Sequence, residues 1–290
     1  MTKRRIIQLL FFLGASFIMR AQEIHPMLEN PRHGKTYVIS HRGYHKDIPE
    51  NTLAAYKKSI DIGCDFIEID VRETKDKKFV SMHNATVDAY ASGITRHVQD
   101  MTLKELKELD ISSKFGDTYK NERISTLEEI LMLCKDKIGI YLDFKAGNFE
   151  EVYRIIKKYD MLSQVVWYMP SNHFLQIYKM NTEFKGILFM PDPVNDQDLQ
   201  TLFQVGNFHF IASAVGRISK DLIEQAHKNN IKVFVDDKNG GLEEWECLIN
   251  KIGVDGIQTD EPIELIEQIK EQIKYRSSPC CFLNVANHND

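Results

Sequence analysis

The sequence predicts an α/β protein, a (β/α)8 barrel with a small insertion after its second strand, and three observations carry that prediction. Short apolar runs lie at 36–40, 66–71, 138–144, 165–169, 186–190, 208–213, 231–235 and 254–259, each followed by a helical segment. The runs are continuously apolar rather than alternating, as expected of parallel strands covered on both faces. A span of about 250 residues is the size of such a barrel. The rival, an open doubly wound sheet, would place a glycine-rich nucleotide turn after its first strand, and none stands there.

The first 21 residues stand apart. Lys3, Arg4 and Arg5 precede an apolar run from Ile6 to Met19, and Ala21 follows. A basic start, a short apolar centre and a small residue predict a cleaved signal peptide over 1–21, hence export to a periplasmic or extracellular space. The run is too short to favour a membrane span. Residues 22–35, with Pro26, Pro31 and Gly34, form a lead-in; the barrel proper runs over 36–275, and 276–290 is a C-terminal tail.

Within the barrel, Asn51-Thr52 caps a helix that stops at Gly63. After the second strand a ribbon turns at Asp76-Lys77 and returns through Phe79–Met82 to His83. Residues 84–125 then break the strand–helix rhythm and form the insertion. It holds a short helix at Met101–Leu106 with Glu105 in the capping-box position, and a second cap at Ser125-Thr126 opens the next framework helix.

Loss of Lys3, Arg4, Arg5 and Arg20 with the leader shifts the formal net charge from −5 to −9. An acidic surface argues against nucleic acid or an anionic membrane as partner. Cys64, Cys134, Cys247, Cys280 and Cys281 show neither metal-knuckle nor disulfide-framework spacing.

The chemistry gathers at strand ends. In a barrel the active site lies at the C-terminal ends of the strands. His41 and Arg42 end the first, Glu68 and Asp70 the second, Asp143 and Lys145 the third, and His83 the returning ribbon. Residues two apart in a strand share a face, so Glu68 pairs with Asp70 and Asp143 with Lys145. Three carboxylates without a thiolate suit one hard divalent cation, Ca²⁺ or Mg²⁺. Arg42 and Lys145 suit a phosphate, and two imidazoles can divide a proton transfer between base and acid. Together they describe cleavage of a phosphate ester.

His41-Arg42-Gly43, Pro49-Glu50-Asn51-Thr52, Gly63–Val71, Thr126-Leu127-Glu128-Glu129 and Gly253–Pro262 resemble the glycerophosphodiester phosphodiesterase family, collinearly from Val38 to Pro262. The resemblance implies a barrel with an insertion after the second strand. It also implies a metal-dependent enzyme that hydrolyses glycerophosphodiesters, such as glycerophosphocholine, to glycerol 3-phosphate and an alcohol. It makes His41 and His83 the acid–base pair, and Glu68, Asp70 and Asp143 the metal ligands. Arg42 and Lys145 fall on the phosphate, with Glu50 in or just behind that shell.

The sequence departs from the family pattern at four places. Asn84 replaces the Asp that usually follows the second histidine. Val87–Tyr90 replaces Leu-x-Arg-Thr, so an Arg and a hydroxyl are missing from that motif. Asp143 replaces Glu, and Phe234 stands where Trp is common. The same residues would also serve a lysophospholipase-D-like enzyme, with Phe144, Trp167, Phe189 and Phe234 available as an acyl rim. They would equally serve a phosphometabolite-binding protein without turnover.

Overall fold

The computed structural model describes residues 23–112, 115–180, 184, 186–205 and 208–277, with backbone only at 178–180 and 273–277. The leader, and the tail with Cys280 and Cys281, lie outside the described residues. In chain order the strands are β1 (Tyr37–Ser40), β2 (Phe66–Glu73), β3 (Phe79–Ser81), β4 (Gly139–Ala146) and β5 (Val165–Pro170). β6 (Leu188–Asp192), β7 (Phe210–Ala214), β8 (Lys232–Asp236) and β9 (Gly256–Thr259) follow. All but β3 are parallel, in the spatial order β6-β5-β4-β2-β1-β9-β8-β7. β6 and β7 lie side by side and nearly close the ring, without a ladder between them among the described residues. The expected eight-stranded barrel is therefore present.

β3 pairs antiparallel with β2, as the ribbon reading required. The helices are α1 (Leu53–Ile62), α2 (Leu103–Lys107), α3 (Leu127–Cys134), α4 (Phe149–Lys158) and α5 (Ser171–Met180). They continue with α6 (Asp196–Val205), α7 (Lys220–Lys228), α8 (Leu242–Glu246) and α9 (Pro262–Ser277). Thr52, Thr102 and Thr126 act as N-caps, the last two in full capping boxes with Glu105 and Glu129. The segment predicted as one helix over 242–251 divides: α8 gives way to a π-helical stretch, Cys247–Ile252, which ends at the left-handed Gly253.

Alternation along each strand sorts the side chains into two sets. Tyr37, Ile39, Phe66, Tyr141, Val166, Leu188, Met190, Phe210, Ala212 and Phe234 fill the barrel interior. Val38, Ile67, Ile69, Leu142, Trp167, Phe189, Ile211 and Val235 face the helices. Trp167, Phe189 and Phe234 are thus core residues, which removes them as an acyl-chain rim. The interior is so filled that a Cβ on Gly256 would lie 2.5 Å from the Phe234 ring, so only glycine fits there. Cys64 and Cys134 are buried thiols. The insertion shares a small separate core with the returning ribbon: Val80 and Met82 from the ribbon pack with Val87, Val98, Met101, Leu106 and Ile124.

The lead-in is tied to the barrel by one buried carboxylate. Asp65 accepts from the backbone N–H of Arg32 through Oδ1 (2.7 Å) and of Val38 through Oδ2 (2.8 Å). An amide can offer only one acceptor and would set its NH₂ against the other N–H. Asp65→Asn is expected to cost about 1–3 kcal/mol of stability, read from chemical denaturation midpoints.

Candidate active site

The inward-facing side chains continue from the apolar interior into a polar layer at the C-terminal strand ends. That layer includes Glu68, Asp70, Asp143 and Lys145, then Tyr168, Asp192, Asp236 and Gln258 around the ring. His41 and Arg42 follow β1 directly, where the chain turns back through Gly43 (φ 74°). A Cβ on Gly43 would lie 2.9 Å from Ala55, so the turn can press against α1 only as glycine. Arg42 and Asn51 both occupy the left-handed region, at φ 52° and 57°. Such backbone persists where surrounding contacts hold it, and here two do. The Asn51 N–H donates to the Arg42 carbonyl (2.9 Å), and the Arg42 N–H donates to Glu68 Oε2 (2.9 Å).

The predicted carboxylates converge. Glu68, Asp70 and Asp143 each offer an oxygen within 4.8 Å of the others. Asp143 therefore reaches the cluster despite being one methylene shorter than Glu. Glu68 and Asp70 are buried, and Asp143 is partly so. Burial, then the neighbouring charges of Asp70 and Asp143, push the Glu68 carboxyl well above its ordinary range. Burial also raises Asp143, while the Lys145 ammonium beside it opposes the shift. Lys145 lies 2.6 Å from Asp143 Oδ2 and 3.2 Å from Asp70 Oδ1. Burial disfavours its charge, but the two carboxylates outweigh that and hold it above the usual lysine range. Asp70 Oδ1 is buried, and the cation beside it is the Lys145 ammonium. Three carboxylates whose oxygens meet in one largely buried space fit a hard divalent cation through oxygen.

Of the capping pair Asn51-Thr52, Thr52 supplies the cap and Asn51 turns to the site. Its Oδ1 accepts from the hydroxyls of Tyr56 and Ser81, at 2.8 Å each, so the amide presents Nδ2 to Asp70 Oδ2 at 3.1 Å. Glu50 stands off from the carboxylate cluster: both its oxygens accept from Arg42 Nη1 at 3.2 Å. Arg42 Nε lies 3.8 Å from Asp70 Oδ2. The guanidinium therefore spans Glu50 and the cluster.

Each histidine is held through Nδ1. His41 Nδ1 is 2.6 Å from Asp260 Oδ1, and that hydrogen bond holds the Asp260 carboxyl below its usual range. His45 Nε2 approaches the same oxygen at 3.5 Å, at the site's edge. His83 Nδ1 is 2.9 Å from Asn84 Oδ1, which makes Asn84 the partner that orients the ring.

The hydroxyl expected to be missing from Val87–Tyr90 is supplied by Tyr90. Its OH accepts the backbone N–H groups of His83 (2.9 Å) and Asn84 (3.3 Å) and contacts Glu50. A guanidinium is present too: Arg72 Nη2 donates to the His83 carbonyl at 2.6 Å. A cavity of about 220 Å³ opens between barrel and insertion, lined in part by Arg42, Glu50, Asn84, Tyr90, Ile111 and Phe115.

Asp260 lies 219 residues from His41 in sequence, and only its place after the last strand could have marked it. As a positioning residue for His41 it gives a direct expectation. Asp260→Asn should lower kcat about 10–100-fold with KM little changed, read from steady-state kinetics on the folded variant.

Fold and site together define a barrel enzyme with a carboxylate cluster and two oriented histidines at the catalytic face. The model of the glycerophosphoryl diester phosphodiesterase family matches residues 41–169. A glycerophosphodiester phosphodiesterase of Caldanaerobacter subterraneus subsp. tengcongensis is 36% identical over 252 residues, covering 82% of this chain and 99% of that protein. Among solved structures, a glycerophosphoryl diester phosphodiesterase from Parabacteroides distasonis superposes with a TM-score of 0.69 at 23% identity, over 87% of this chain and 94% of that one. An Oleispira antarctica phosphodiesterase, solved with its product sn-glycerol-3-phosphate, gives 0.65 at 21% identity, over 80% of this chain and 96% of that one. The chain belongs to the glycerophosphodiester phosphodiesterase family, and it is a phosphoric diester hydrolase.

Proposed function

We propose that this enzyme hydrolyses glycerophosphodiesters to glycerol 3-phosphate and an alcohol with the help of one divalent cation, Ca²⁺ or Mg²⁺. The observation that carries this reading is the convergence of Glu68, Asp70 and Asp143 between Arg42, Lys145 and the two histidines. Glu68, Asp70 and Asp143 would hold the cation, which when bound neutralises phosphate charge and polarises the phosphoryl oxygen.

The other roles belong to the chain itself. Arg42 and Lys145 draw the anionic phosphate to the mouth and offset the charge that grows on its oxygens. The small cavity beside Glu50 and Tyr90 accepts the glycerol arm. Its one acidic wall, Glu50, is already paired with Arg42, so the cavity suits a neutral polyol. The alcohol then lies on the opposite side, next to His41. His83, held by Asn84 through Nδ1, takes a proton from water at Nε2 as the water oxygen bonds to phosphorus. The P–O bond to the alcohol breaks, and His41, held by Asp260, delivers its proton to the departing oxygen.

The basic-then-apolar leader over 1–21 supports a reaction outside the cytoplasm, as scavenging of phosphate or head groups. No helix among the described residues is long and apolar enough to cross a membrane. The test is a coupled assay of glycerol 3-phosphate release from glycerophosphocholine beside choline release from lysophosphatidylcholine. Release of glycerol 3-phosphate with little turnover of the lysolipid is expected. Turnover of the lysolipid alone would make the enzyme a lysophospholipase D instead.

A further inference from the structure

The half of the mouth formed by β5, β6, β8 and β9 plays no part in the carboxylate cluster, yet it is built from polar side chains. Asp192 is fully engaged there. Arg217 Nη2 reaches both its oxygens, at 2.5 and 2.7 Å, and the Tyr168 hydroxyl donates to Oδ2 at 3.1 Å. Asp236, at the end of β8, is different. It is open to the mouth, and the charged group that most favours its ionised form is the His41 imidazole rather than a Lys or Arg. Loss of solvation, with the carboxylates of Asp192, Asp143 and Asp237, pushes it up to about 6.

Beside it in register stands Gln258, on the inward face of β9. Gln258 is 9% exposed, and its Oε1 is buried with no hydrogen-bond partner. A buried acceptor left unpaired is costly, and within a substrate mouth it marks where a donor from the ligand belongs. Across the mouth, on β5, the Tyr168 ring, packed 5.7 Å from that of Tyr141, supplies an aromatic wall.

A carboxylate faced by His41 but by no Lys or Arg among its main electrostatic neighbours, an unpartnered buried carbonyl oxygen and an aromatic wall all ask for a positively charged donor. A quaternary ammonium could satisfy the charge and the rings but has no N–H for Gln258. A primary ammonium satisfies all three. We propose that Asp236 and Gln258, with Tyr168 facing them across the mouth, form the subsite for the departing alcohol and select an alcohol that bears a primary ammonium group. This rests on the assignment of the site as a glycerophosphodiester hydrolase and sharpens its substrate class. It also fits the opposite cavity, whose carboxylate is already neutralised by Arg42.

The test compares kcat/KM for glycerophosphoethanolamine, glycerophosphocholine and glycerophosphoglycerol, in the wild-type enzyme and in Asp236→Asn and Gln258→Met, with thermal melts to confirm folding. The expected wild-type order is ethanolamine, then choline, then glycerol. The ethanolamine-over-glycerol ratio should fall about tenfold in Asp236→Asn, the size of a lost charge-assisted hydrogen bond. In Gln258→Met the ethanolamine-over-choline ratio should fall, because only ethanolamine uses that acceptor. Equal losses on all three diesters, or no wild-type preference, would overturn the subsite. Absence of glycerol 3-phosphate from every diester would instead overturn the hydrolase assignment on which it rests.

Discussion

Glu68→Gln is expected to lower kcat by a factor on the order of 10³, the several kcal/mol that a catalytic cation supplies, while raising the melting temperature of the metal-free protein. The two effects have one cause. Glu68 is 2% exposed, and its carboxylate oxygen shares a space with those of Asp70 and Asp143. Without a cation between them, burial and mutual repulsion make the ionised form unfavourable. Because its folded-state value is raised above the ordinary 4.5, the stability linked to this group is complete below that pH and is lost as the pH rises toward the folded-state value. At neutral pH the amide removes that penalty and keeps an acceptor for the Arg42 N–H. A melting curve and an activity assay on one preparation check both signs. Loss of stability together with activity would make Glu68 a structural residue only.

His41→Ala and His83→Ala are each expected to reduce kcat by about 10²–10⁴, the usual worth of a positioned acid or base. The double variant should fall little below the worse single one, since groups that act as a unit are not additive. Both rings are partly exposed at the mouth, and neither belongs to the apolar core, so the variants should melt near the wild-type temperature. Full activity in either variant would remove that histidine from the proton transfers.

The barrel was legible because parallel strands leave a crude signal. Each is a short apolar run whose neighbours in sequence are amphipathic, and burial on both faces forces that pattern. The carboxylate cluster was legible for a related reason. Glu68 with Asp70, and Asp143 with Lys145, share faces by the two-residue repeat of a strand, and the fold brings all the strand ends to one rim. Strand boundaries were less so: the fifth of the eight expected runs, 186–190, is β6 and runs over Leu188–Asp192. The shift matters, because it carries Asp192 into the mouth as the last residue of β6.

What the sequence hid were the partners. Asp260 and His41 lie at opposite ends of the chain and meet only because β9 pairs with β1 and closes that side of the ring. Tyr90 stands in a motif that had lost its usual residues, and no periodicity shows that a 3-10 turn in the insertion points its hydroxyl at His83. Within the capping pair Asn51-Thr52, only the fold separates the residue that caps α1 from the one that turns to Asp70. The π-helical segment after α8 has no separate sequence signature, since its apolar spacing also fits a regular helix.

Hydrolysis is proposed to depend on a cation held by Glu68, Asp70 and Asp143. The most direct measurement is glycerol 3-phosphate release by enzyme stripped with chelator and then given Ca²⁺ or Mg²⁺, in the wild type and in Asp70→Asn. Activity should vanish in chelator, return with one of the two ions in the wild type, and fail to return in Asp70→Asn at the same ion concentration. Undiminished turnover in excess chelator would contradict the account.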